Sequence, residues 1–184
     1  MILEIWTILN PIIRTFIYFT ALYSIGSVIF KVHFYKYFNE EINIYCKKII
    51  RNGALLGLII SILAFLSVAG NLGGEIESIF EIDLIELSFE TMQGKSYLLL
   101  ILGFSFLYFS YYFQNIFVIA FNIIGTVLIL ISFIVIGHSL SQGIYTQILL
   151  LIHLFCISYW LGSFLPIKYM SVSYTHLRAH ETRL

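Results

Sequence analysis

Along this chain the hydrophobic positions do not alternate, and they do not form a single stripe on an otherwise polar helix. They come as five long, nearly unbroken runs: Ile5–Phe30, Ala54–Ala69, Tyr97–Phe113, Ile116–Leu140 and Ile144–Ile167. A helix needs about 20 apolar residues to cross roughly 30 Å of hydrocarbon. The third run is short, but Gly94, Lys95 and Ser96 on one side and Gln114 and Asn115 on the other bracket it clearly. A helix apolar around its whole circumference belongs in a buried or lipid setting. The pattern predicts an all-α fold, a polytopic transmembrane bundle of five spans.

Composition strengthens this. Of the 184 residues, 60% are apolar and 11% charged, against roughly 45–50% and roughly 25% in an ordinary soluble domain. A soluble domain of this size has too little interior for so much Leu, Ile and Phe, and disorder goes with few aromatics and high charge. Ten basic residues balance ten acidic ones, so the chain lacks the basic surface that nucleic acid requires. Cys46 and Cys156 stand far apart and form neither a disulfide framework nor a CxxC zinc motif. The first run carries Arg14 in its middle and lacks a small-residue cleavage site, so it is not a removable signal peptide.

The polar connections set an orientation. Segment 31–53 holds Lys31, Lys36, Lys47, Lys48 and Arg51, and Lys168 follows the last run. Segment 70–96 holds Lys95 against Glu75, Glu77, Glu81, Asp83, Glu86 and Glu90. Basic loops stay in the cytoplasm, which predicts an external N-terminus, an external acidic loop and an outward-facing corner at Gly137 and His138. Trp6, Tyr111, Tyr112, Tyr145 and Trp160 fall near the predicted interfaces, where amphipathic rings anchor. Gly53, Gly57 and Ser61 form a small-xxx-small row suited to close helix packing within the chain.

Ionisable groups inside lipid are costly and are candidate functional residues by default. Arg14 is either a snorkelling side chain or a fixed positive charge facing the bundle interior. His138 ends the fourth run in VIGHSLSQG, and His153 lies well inside ILLLIHLFCISYWLG. An imidazole at that depth must be hydrogen-bonded or ligated to offset its desolvation. Cys156 and Trp160 follow at i+3 and i+7, so the three share a helix face. Imidazole and thiolate suit Cu(I) or zinc better than calcium or magnesium, although a buried Cys more often behaves as a small hydrophobe. The acidic loop is either a solvated surface or a vestibule that concentrates cations, with Met92 nearby as a soft thioether. GNLGG at 70–74 lacks the Lys-Ser/Thr of a phosphate loop. No Ser-His-Asp grouping or HExxH motif is present, so the reading is of a protein that is not an enzyme.

The last stretch breaks with everything before it. Val172–Thr182 reads VSYTHLRAHET, and His176 and His180 have a spacing that suits two metal ligands on a helix. The same eleven residues can be encoded by a string that looks like the mosaic end and adapter of a transposase-based sequencing library, read in one frame. Residues 172–184 are therefore expected to be technical, and residues 1–171 to be a truncated natural transmembrane domain.

Several segments in order resemble one family. They are RTFIYFTALYSIGSVIF, FETMQGKSYLLLILG, IVIGHSL and HLFCISYWLGSFLPI. The most specific part is a Gly-His pair followed, about fifteen residues on, by H-L-x(5)-W-L-G. Together they resemble the copper resistance D (CopD) family of bacterial inner-membrane proteins, over most of residues 5–170. The resemblance implies copper uptake or tolerance, about eight helices, and a small periplasmic copper-binding partner of the CopC type. It matches Gly137, His138, His153, Trp160, Leu161 and Gly162 to the family pattern, and Arg14 to the first-helix arginine. On this reading copper passes from the acidic loop to His138 and then to His153 and Cys156 deeper in the bundle. The alternative is a b-type haem protein for electron transfer, held by axial imidazoles. His138 and His153 are its only membrane-placed ligands, at different depths, with His33 on the cytoplasmic loop.

Overall fold

The computed structural model describes residues 3–114, 116–136 and 143–181, with side chains described over 5–114, 116–136 and 143–172. Six α-helices fill it: α1 (Leu3–Phe34), α2 (Glu40–Gly73), α3 (Ile82–Glu90), α4 (Met92–Phe109), α5 (Ile116–Val135) and α6 (Ile144–Glu181). Short 3-10 turns at Tyr35–Tyr37, Glu77–Phe80 and Ser110–Tyr112 join them. No strand occurs among the described residues. The chain is an all-α bundle.

Four of these helices, α1, α2, α5 and α6, are long and apolar enough to cross a membrane. Large apolar side chains such as Phe16, Leu63, Ile119, Leu149 and Phe164 face outward. An outer surface of this kind is stable in lipid and not in water. The chain is a membrane protein. The third expected span, now α4, falls outside the four because Gln93 and Lys95 in its first turn lower its mean hydropathy. It nonetheless packs lengthwise between α2 and α5.

Helix ends depart from the sequence reading in a consistent direction. The stretch 31–53 is mostly helix, not a loop. Asn39 caps α2 by accepting a hydrogen bond from the Ile42 amide at 2.8 Å, and Glu40 and Glu41 fill the first turn, where the helix dipole favours negative charge. Ile42, Cys46, Ile49 and Ile50 turn inward from this extension, a helical i, i+4, i+7, i+8 stripe. His33 accordingly lies in the last turn of α1. At the other end, Gly74 closes α2 at φ +81, its N–H donating to the Gly70 carbonyl at 2.8 Å; a side chain resists that left-handed conformation. The acidic segment holds α3, whose Phe89 ring packs on Phe65 of α2. The fourth run ends as helix at Val135, and the rest of its expected length, 137–140, lies outside the described residues. Helix α6 continues through Pro166 and beyond Ser171 to Glu181.

Side-chain pairings give the topology. Trp6 meets Gly70 and Gly53 meets Ser24, so α1 and α2 are antiparallel. Phe104 meets Gly57 while Arg51 lies over the Tyr111 ring, so α4 runs against α2. Ser96 meets Ser132 and Phe106 meets Phe121, so α5 runs against α4. Ser27 meets Gly162, and Tyr169 reaches Glu41 at the start of α2, so α6 runs parallel to α1. Lys31, Lys36, Lys47, Lys48, Arg51 and Lys168 thereby gather at one end, with the acidic segment at the other. Ile25, Leu100, Phe104, Leu107 and Ile129 are fully buried at the centre.

Small residues permit these close approaches, as membrane bundles require. The Gly53, Gly57 and Ser61 row packs inside the chain: a Cβ on Gly57 would lie 2.3 Å from the Phe104 ring. Helices α1 and α6 touch backbone to backbone, since a Cβ on Gly26 would lie 1.6 Å from the Ser158 carbonyl oxygen.

Candidate functional site

A cleft of about 190 Å³ lies between α1, α4 and α5. Arg14, Ile17 and Tyr18 supply one wall, Ser96, Tyr97 and Leu100 the floor, and Ser132, Phe133 and Ile136 the far wall. It lies toward the acidic end of the bundle, because Tyr97 is in the second turn of α4 and Ser132 is in the last turn of α5. Tyr18 stacks on Phe133 across it, ring centroids 4.8 Å apart.

The polar groups of the cleft are unequally engaged. The Ser96 hydroxyl donates to the Ser132 carbonyl at 2.8 Å, and the Ser132 hydroxyl donates to the Ile129 carbonyl at 2.6 Å. Gln93 Nε2 donates to the Tyr97 hydroxyl oxygen at 3.1 Å. The Tyr97 proton and the Arg14 guanidinium have no acceptor among the described residues. Arg14 lines this cleft with its side chain exposed.

The other sequence candidates do not converge on this cleft. His153, Cys156 and Trp160 do share one face of α6, as their spacing predicts, but all three are exposed on the outside of the bundle. The expected position of His153 deep in the interior is therefore corrected. Helix α6 is apolar on every side, so spacing identified the shared face without revealing which way it turns. Gly162 lies on the opposite side, against Gly26 and Ser27 of α1; the Ser27 hydroxyl reaches its carbonyl at 3.4 Å. Its role is close packing. His138 and Gly137 lie outside the described residues.

No family model, curated protein or solved structure matches this chain. Among the described residues no group of three or more His, Cys, Asp or Glu side chains is placed to hold a metal ion. No histidine lines the cleft among the described residues, and the His33 ring packs edge-on against Tyr159 instead.

Two further placements differ from the sequence reading. Trp6 is not an interfacial anchor: it is buried, its ring laid against Gly70. Cys46 is fully buried at the basic end, where α1 and α2 meet, and Cys156 is exposed. The sequence reading missed Tyr97, Ser96 and Ser132 altogether. The available signal was a hydroxyl group inside otherwise apolar runs, which membrane helices commonly turn toward a neighbouring helix.

Proposed function

We propose that this protein handles copper in the bacterial inner membrane, moving the ion or conferring tolerance to it. The observation that carries the reading is the pair His153 and Cys156, one helical turn apart on the exposed face of α6. Imidazole and thiolate together form a soft donor set that selects Cu(I) over hard cations. Two donors on one helix also hold an ion weakly enough to pass it on, as conduction requires. The resemblance of the same segments to the CopD family adds the copper reading and a periplasmic CopC-type partner. His138 is the third donor in that reading.

The charge distribution supports an orientation for this activity. With the basic end in the cytoplasm, the acidic segment and the outer ends of α4 and α5 face the periplasm, where a cation-attracting surface raises the local ion concentration.

The test is elemental analysis of the detergent-purified chain for copper and iron, beside His153→Ala and Cys156→Ser. Copper is expected in the parent and lost from both variants. Copper retained in both variants overturns the site, and iron in place of copper replaces this reading with the haem alternative.

A further inference from the structure

Arg14 presents an energetic problem that the copper reading leaves untouched. It lies within the membrane-spanning part of α1, and no carboxylate pairs with it among the described residues. A cation at membrane depth is costly unless it is paired or reaches water. The cleft it faces contains no acidic side chain. Its uncommitted protons belong to an arginine that stays protonated and to Tyr97, and the one formal charge on its lining is positive. The serine hydroxyls that might have donated are already engaged with backbone carbonyls. A cleft whose one formal charge is an unpaired cation suits an anion.

Size and walls narrow the choice. About 190 Å³ is below the roughly 300–1,000 Å³ of pockets that enclose a whole small molecule. It is adequate for a head group. Ile17, Leu100, Phe133 and Ile136 make the remaining surface apolar, and Phe16 and Phe19 continue an apolar exterior on α1. An occupant with an anionic head and an apolar tail fits this division. The acidic segment at the same end repels soluble anions, whereas a lipid arrives laterally through the bilayer. A guanidinium also suits a phosphate better than an ammonium does, because it donates two parallel hydrogen bonds.

We propose that the cleft between α1, α4 and α5 binds the phosphate head group of an anionic membrane lipid, gripped by Arg14 and the Tyr97 hydroxyl. The tail lies along the outer faces of α1 and α5.

The test is native mass spectrometry of the full chain released from detergent micelles. It is titrated with dioleoylphosphatidylglycerol or dioleoylphosphatidylcholine, in the presence and absence of inorganic phosphate. The wild-type chain is expected to prefer the anionic lipid about tenfold, because both lipids offer a phosphate but the choline cation of phosphatidylcholine neutralises it and repels Arg14. Arg14→Gln abolishes that preference and Tyr97→Phe reduces it. Lys95→Gln, which removes a nearby exposed cation outside the cleft, leaves it unchanged. Helical circular dichroism of each variant confirms folding, and Arg14→Lys supplies an intermediate preference where Arg14→Gln fails to fold. Equal binding of the two lipids, or a preference that survives Arg14→Gln, overturns the proposal. Displacement of the lipid by inorganic phosphate at matched concentration overturns the lipid as the source and assigns the cleft to the free ion.

Discussion

At the scale of single residues, the bundle depends on positions where a side chain is missing. Gly26 and Gly162 let α1 and α6 meet through their backbones, and a Cβ on Gly162 would lie 2.2 Å from the Gly26 carbonyl carbon. Gly26→Val or Gly162→Val is expected to destabilise the bundle by about 1–3 kcal/mol, the usual cost of overpacking, or to part the two helices. Unfolding the reconstituted chain in increasing dodecyl sulfate measures the first, and crosslinking between α1 and α6 measures the second. Phe104 tests the complementary case. Its ring is fully buried in the recess left by Gly57, so Phe104→Ala is expected to cost about 3–5 kcal/mol in the same titration. The small-residue row on α2 was legible from spacing alone. The inward turn of Trp6 was not, because it depends on Gly70, a partner distant in sequence.

Among elements, capping decides where the helices begin. Thr91 separates α3 from α4 with one hydroxyl: Oγ1 accepts from the Gly94 amide at 2.9 Å and donates to the Ser88 carbonyl at 2.8 Å. Thr91→Ala removes both contacts and is expected to destabilise this corner by about 1 kcal/mol. Faster amide hydrogen exchange over 82–96, with the rest of the bundle unchanged, is the expected signature. The existence of the apolar helices was legible because lipid demands continuous hydrophobic runs. Their true lengths were not, since the extension of α2 back to Glu40 is amphipathic and reads as a loop by composition. The cleft was equally hidden. Arg14 stood out as a charge in an apolar run, but Tyr97 and Ser132 join it only after three helices have packed.

The whole molecule is polarised, with Lys31, Lys36, Lys47, Lys48, Arg51 and Lys168 gathered at one end and six acidic residues of the 70–96 segment, beside Lys95, at the other. In a background of Cys46→Ser and Cys156→Ser, Lys36→Cys and Glu81→Cys are expected to label from opposite sides of the membrane. A membrane-impermeant maleimide applied to intact cells should reach Glu81→Cys alone; labelling at Lys36→Cys instead would invert the orientation. The positive-inside reading and the packing agree in requiring α1 and α6 to run the same way. That agreement is informative because one comes from loop charges and the other from helix contacts.

The pairing of α1 with α6 also has a consequence in time. The Ser27 and Gly162 contact joins residues 135 positions apart. At a synthesis rate of about 5–20 residues per second, the ribosome needs roughly 7–27 s to make the intervening chain. Throughout that interval the Gly26 and Ser27 surface of α1 has no partner from its own polypeptide. The nascent protein must keep a groove-forming helix unclaimed in the bilayer until α6 is inserted, with neighbouring nascent chains as the competing claimants.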